Sequence, residues 1–152
     1  MANAILKEIK DTDVPVSRFC YKLVPVEHGC KADIEIFKEK ILPMLKRKFK
    51  PEESKKWFLH FKCRNNSKYK MKDFLEVILE NIGKEHTVDY KNPDYTIFVE
   101  VNNQMMGISV LKKFITYKGF SLQTESMKEN NKKRAEAQKE QIENEKKEKQ
   151  DK

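Results

Sequence analysis

Hydrophobic positions recur along this chain with a period that changes from segment to segment. Between Ala32 and Phe49, the residues Ile34, Phe37, Ile41, Leu45 and Phe49 return every three or four positions, which predicts a helix with one buried stripe. Pro43 lies inside it and predicts a kink or two short helices, since proline lacks the N–H and crowds the preceding turn. Between Lys56 and Lys62 the period falls to two: Trp57, Leu59 and Phe61 alternate with Phe58 and His60, predicting a strand with one inward side. From about Lys68 to Ile82 the helical period returns, with Leu75, Ile78, Leu79 and Ile82 inward and Phe74 on the flank. Tyr95 to Val101 is a near-continuous run of strand formers. Gln104 to Leu111 makes a second strand behind a turn at Asn102-Asn103. Gly107 inside that strand marks a bulge or a close approach.

Turn chemistry separates these segments. Arg18 to Val26 is rich in aromatic and branched residues and reads as a strand with Phe19, Tyr21 and Leu23 on one face, ending near Pro25. His28-Gly29 reads as a turn, Pro51 to Ser54 as a surface connection, and Asn92-Pro93-Asp94 as another turn. Arg64, Asn65, Asn66 and Ser67 link the Trp57 strand to the following helix, and Ser67 or Asn66 is the expected cap. Gly83 suits the end of that helix. Lys112 to Leu122 is a short extension or a helical turn broken at Gly119. Strands and helices thus alternate along the chain.

Charge changes the picture in one window. Residues 46–72 hold eleven Lys or Arg against Glu52 and Glu53, a net +9, whereas the whole chain of 152 residues carries +8. A concentration of this kind points to a polyanionic partner. Trp57, Phe61 and Tyr69 lie among the cations as expected stacking surfaces for unpaired bases. Arg64 with Asn65 and Asn66 offers planar groups for phosphates and base edges. The turn also leads into a helix N-terminus, whose N–H groups and dipole favour an anion.

Signals for chemistry are sparse. Gly29, Gly83, Gly107 and Gly119 are too far apart for a phosphate-cradling loop, and His28, His60 and His86 have no ligand-spaced neighbour. Cys20, Cys30 and Cys63 are odd in number and lack Cys-x-x-Cys spacing, so reduced, partly buried thiols are expected, with neither disulfides nor zinc. No apolar run approaches the ~18 residues of a membrane span, and MANAILKEIKD lacks a signal-peptide core. The expectation is a soluble intracellular protein without catalytic function or cofactor. After about Ser126 apolar residues vanish: sixteen of the last 27 are charged, and Ile142 is the only branched aliphatic. That tail is expected to be disordered or an exposed helix supported by Glu143–Lys147 and Glu145–Lys149.

Four separated motifs resemble the THUMP domain family. They are Phe61-Lys62-Cys63-Arg64-Asn65-Asn66-Ser67, then Asn92-Pro93-Asp94-Tyr95 leading into IFVEV, then GISVLKKF from Gly107 to Phe114, and upstream LVPVEHGCKA from Leu23 to Ala32. The last resembles a subgroup of stand-alone THUMP adaptors that assist a tRNA cytidine acetyltransferase. The resemblance runs from about Ser17 to Glu125. It implies an α/β (α+β) fold with a mixed sheet flanked by helices, arranged as a lead-in over 1–16, part of a ferredoxin-like region over 17–32, a THUMP-like RNA-binding domain over 33–125 and the charged tail over 126–152. It further implies a tRNA-binding adaptor that presents tRNA to a separate acetyltransferase for N4-acetylcytidine formation, in the nucleus or nucleolus, with the cytoplasm as another location. The alternatives are a general RNA-binding factor in ribosome assembly and the RNA-binding part of a thiolating or methylating enzyme. The residues expected to bind RNA are Lys62, Arg64, Asn65, Asn66, Lys68, Lys70 and Lys72, with Lys46, Arg47 and Lys48 as electrostatic support.

Overall fold

The computed structural model describes residues 2–12, 14, 17, 20–124, 127–133 and 136–138. Two compact units emerge, one of residues 24–119 and one of residues 1–23 with 120–152. Among the described residues no helix is long and apolar enough to cross a membrane.

The larger unit is an α+β fold. Its sheet contains β1 (His28–Lys31), β2 (Lys56–Arg64), β3 (Thr87–Val88), β4 (Tyr95–Asn102) and β5 (Met105–Leu111), and its helices are α2 (Ile34–Lys48) and α3 (Met71–Asn81). The strand order is β1-β5-β4-β2-β3. β2 runs parallel to β3 and β4, while β5 is antiparallel to β4 and β1. Both helices pack into one core on one face, where Phe37 and Ile41 of α2 meet Phe74 and Ile78 of α3 over Trp57, Leu59, Ile97, Val99 and Ile108. The rings of Phe37 and Phe74 meet edge to face, 4.9 Å apart, the favoured aromatic geometry.

Alternation along the sheet matches the two-residue period. Trp57 and Leu59 are buried and Phe61 packs against the core, as expected for the inward side of β2. His60, on the other side, stacks on Phe98 with centroids 5.4 Å apart and meets Phe114 at 4.8 Å.

Several expectations need correction. Of the two alternatives at Pro43, two short helices are ruled out, since α2 runs through it as one helix. Pro43 is exposed while Ile41, Met44 and Leu45 are buried, so core packing on both sides outweighs one lost hydrogen bond on the wet side. In α3 the buried stripe is Phe74, Val77 and Ile78, and Leu79 is exposed. The Phe74 ring takes the inner position, between Phe37 and Phe61. Neither Asn66 nor Ser67 caps the helix, which begins at Met71 with Lys70 as its cap. Residues 20–26 form no strand apart from an isolated Lys22–Ser121 bridge, and Tyr21 and Leu23 are exposed; Arg18 and Phe19 lie outside the described residues. His28-Gly29 is part of β1, whose pairing with β5 outweighs local turn propensity. The β4–β5 turn is Asn103-Gln104, one residue later than expected. Gly107 forms no bulge, since the β4–β5 register is continuous through it.

The smaller unit contains α1 (Ala2–Thr12), with Leu6 and Ile9 buried, and the bridge at Lys22–Ser121. The latter is closed by Leu23 N–H to Phe120 O and Leu122 N–H to Tyr21 O, both at 3.0 Å. Residues 127–133 and 136–138 are helical. The Glu143–Lys147 and Glu145–Lys149 pairs lie outside the described residues.

Candidate nucleic-acid interface

The +9 window does not fold into one surface. α2 starts beside the β4–β5 hairpin, where Ala32 N–H reaches Gln104 O at 2.7 Å. It ends at the opposite end of the sheet, where the Phe49 ring meets Tyr95 at 5.4 Å. β2 then runs back from Lys56 to Arg64. At about 3.3 Å per strand residue, Arg64 stands ~26 Å from the Lys56 end. The sequence-adjacent cations therefore split into two groups.

At the hairpin end lie Lys62, Arg64, Lys68, Lys70 and Lys72. All but the half-buried Lys62 are exposed. Arg64 Nε lies 3.6 Å from Glu100 Oε1, and both side chains remain partly in solvent. Lys72 lies 3.6 Å from Glu76 one turn along α3. Lys68 Nζ sits 4.8 Å from the centre of the Tyr69 ring, and the Tyr69 contact holds its ammonium above the usual lysine range.

Asn65 and Asn66 turn out to serve the scaffold. Asn65 takes a left-handed conformation, φ 52°, one that asparagine tolerates better than most residues, and its Nδ2 donates to Asn102 Oδ1 at 3.4 Å. Asn66 donates from Nδ2 to Asn103 O at 2.7 Å and accepts at Oδ1 from Lys68 N–H at 2.9 Å. Its own carbonyl accepts from Cys63 Sγ at 3.1 Å. Asn103 N–H donates to Arg64 O at 2.9 Å. The turn after β2 is thus sewn to the β4–β5 hairpin. The expected anion seat at the start of α3 is partly filled from within, because Asp73 accepts the Lys70 N–H at 2.8 Å.

The expected stacking surfaces are not available. Trp57 and Tyr69 are buried, and Phe61 packs against Phe74 at 5.1 Å. Tyr69 spends its hydroxyl on Ala32 O at 2.8 Å. Their interleaving with lysines in sequence is the alternation of strand and helix faces.

At the other end lie Lys46, Arg47 and Lys48, in the last turn of α2, where cations complement the helix dipole. Arg47 is ion-paired with Glu27. Nearby, Lys55, Lys112, Lys113, Asp94, Tyr95 and Thr116 line a hollow of about 260 Å³. Lys112 and Lys113 belong to the stretch whose structure the sequence left open. Lys112 Nζ lies 5.2 Å from the Tyr95 ring centre, while Lys55 is paired with Glu53 at 2.7 Å. His86 is buried here, its Nδ1 accepting Lys55 N–H at 3.2 Å.

The chain is similar to the mouse (Mus musculus) THUMP domain-containing protein 1, 26% identical over 126 residues that cover 81% of this chain and 36% of that protein. It therefore spans about a third of that relative's length. It is also similar to a solution structure of the THUMP domain of THUMP domain-containing protein 1, with 27% identity, coverage of 52% and 84%, and a TM-score of 0.43. A 4-thiouridine synthetase–RNA complex with bound ATP shares 26% identity over 55% of this chain and 23% of its own, with a TM-score of 0.44. The THUMP domain model matches residues 31–111, more than half of the sequence: the chain belongs to the THUMP domain family, which is associated with RNA binding in tRNA-modifying enzymes.

Proposed function

We propose that this protein is a non-catalytic tRNA-binding adaptor that presents tRNA, in the nucleus, to a separate acetyltransferase forming N4-acetylcytidine. The observation that carries the RNA-binding part is the set of Lys62, Arg64, Lys68, Lys70 and Lys72 around one turn fixed by side-chain hydrogen bonds. A rigid turn holds cations at set spacings, and phosphate oxygens are what such groups bind best. With Trp57, Phe61 and Tyr69 in the core, the contacts fall on the backbone of the nucleic acid rather than on stacked bases. Lys46, Arg47 and Lys48 act from the far end as long-range attraction. The adaptor role is supported by the LVPVEHGCKA segment and by the similarity to THUMP domain-containing protein 1.

The test is recovery of the tagged protein from its own cells, with sequencing of bound RNA and mass spectrometry of bound protein. Enrichment of tRNA together with an acetyltransferase is the expected result. Ribosomal precursor RNA without that enzyme would instead indicate a ribosome-assembly factor.

A further inference from the structure

Register places four residues in a row across the sheet face opposite the helices: Lys62 on β2, Glu100 on β4, Gly107 on β5 and Gly29 on β1. The next row toward the hairpin is Arg64, Asn102, Met105 and Lys31. Farther from the hairpin the same face is filled, with Phe98 and Ser109 buried and His60 stacked on Phe98. In the two rows near the hairpin, Arg64, Asn102, Met105, Lys31 and Gly29 are exposed.

Two glycines side by side in adjacent strands need a reason, because each gives up side-chain packing and costs chain entropy. Neither has the positive φ that would demand glycine. A Cβ built on Gly29 meets nothing within 4 Å, and one on Gly107 meets only Val26, at 3.4 and 3.6 Å. The space above Gly29 is open. Glycine in a strand commonly marks a place where another backbone or a ligand comes close. Here the floor is bordered by cations, Lys62 and Arg64 on β2 and Lys31 on β1. These borders stand three strand spacings, ~14 Å, apart. Glu100, the one carboxylate in these two rows, lies against Arg64.

We propose that an RNA sugar–phosphate backbone crosses the sheet over Gly29 and past the Val26 side chain that rests on Gly107, held by Lys62 and Arg64 on one side and by Lys31 on the other. This rests on the RNA-binding reading above and extends that site from the turn onto the sheet face. It assigns a role to Lys31, which the sequence places next to an apparent turn. Gly29 supplies the open room, and Gly107 lets the Val26 side chain lie low against the strand beside it.

The test uses the full chain and an unmodified tRNA transcript, with affinity measured over a salt series and melting temperature on the same preparations. Gly29→Val adds bulk over the floor with a residue that suits a strand. It should hold or raise the melting temperature and weaken binding about tenfold, the scale of one lost charge-assisted contact. Lys31→Gln should reduce the salt slope by about one, as expected for one lost phosphate contact. If Gly29→Val proves unstable, the Lys31→Gln slope alone decides. Wild-type affinity and slope in a folded Gly29→Val, or an unchanged slope in Lys31→Gln, would overturn the crossing even where Arg64→Lys weakens binding. Failure of the wild-type chain to bind the transcript at low salt would overturn the RNA-binding reading itself.

Discussion

Asn66 donates to the carbonyl of Asn103 at 2.7 Å, joining the turn after β2 to the hairpin between β4 and β5. The same side chain accepts from Lys68 N–H, so one residue fixes both the turn and the first cation beyond it. Asn66→Ala removes both bonds and should cost about 1–2 kcal/mol of unfolding free energy, toward the lower end of unmet polar groups because the site is partly wet. Asn66→Asp keeps the acceptor but sets a carboxylate oxygen against the Asn103 carbonyl, so at neutral pH it should cost at least as much as Asn66→Ala. Chemical denaturation of the two variants checks the order. Equal stability of Asn66→Ala and wild type would mean that the two bonds fix nothing.

Asp89 gives the fold a pH dependence. The N–H of Asn92, the Lys56 ammonium and the N–H of Lys91 hold its carboxyl below the usual aspartate range, with Lys56 Nζ at 3.2 Å from Oδ2. The folded pKa is thus lower than the unfolded one. The stabilisation is complete above the ordinary aspartate pKa and is lost as pH falls through the depressed value. Asp89→Asn should lower the melting temperature at neutral pH and bring the two proteins closer together in acid. A constant difference across the acid range would contradict this origin.

These two sites also show what the sequence makes legible. The two-residue alternation in β2 and the unbroken Tyr95 run identify the sheet's central strands directly, because each is a local property of consecutive side chains. β1 and β3 are not legible. His28–Lys31 opens on a turn-forming His-Gly pair and Thr87–Val88 is two residues long, too short to show a period, so their place in the sheet comes from β5 and β2 beside them. The site shows the same division. That Lys62, Arg64 and Lys68 would lie together follows from one short turn. That Lys46 would lie at the far end of the sheet follows only once α2 and β2 are known to run in opposite directions. Trp57 and Tyr69 fall among lysines in sequence, yet the strand pleat and the approach to α3 direct them inward. Glu100 is far from Arg64 in sequence, and register alone brings them together.

The Arg64–Glu100 pair separates stability from binding. At 3.6 Å between half-exposed groups, such a pair is worth about 0–1 kcal/mol after solvent screening. Arg64→Lys should therefore leave stability nearly unchanged. It should weaken tRNA binding by roughly 1–3 kcal/mol, since lysine cannot form two parallel bonds to a phosphate. Glu100→Gln removes a carboxylate from the path of the RNA and should strengthen binding while leaving the melting temperature nearly unchanged. Weaker binding in Glu100→Gln would show that the carboxylate orients Arg64 for RNA rather than competing with it.

The last prediction concerns the two ends of the sheet. Replacing Lys68 and Lys70 with Gln should lower the slope of log affinity against log salt by about one per lysine, because each phosphate contact releases its counterions on binding. Lys72 should contribute less, since it is already near Glu76. Lys46→Gln and Lys48→Gln lie ~26 Å away along β2. If RNA contacts only the hairpin end, they should leave the slope nearly unchanged and slow association, as expected for charges that steer without touching. Their cost would instead appear in stability, about 0.3–1 kcal/mol each, because they complement the C-terminal dipole of α2. Salt titrations and melts of the two double variants give both readings at once. An equal loss of slope at the two ends would mean that one RNA touches both, along the full length of β2. The ~14 Å crossing over Gly29 would then be one part of a longer path.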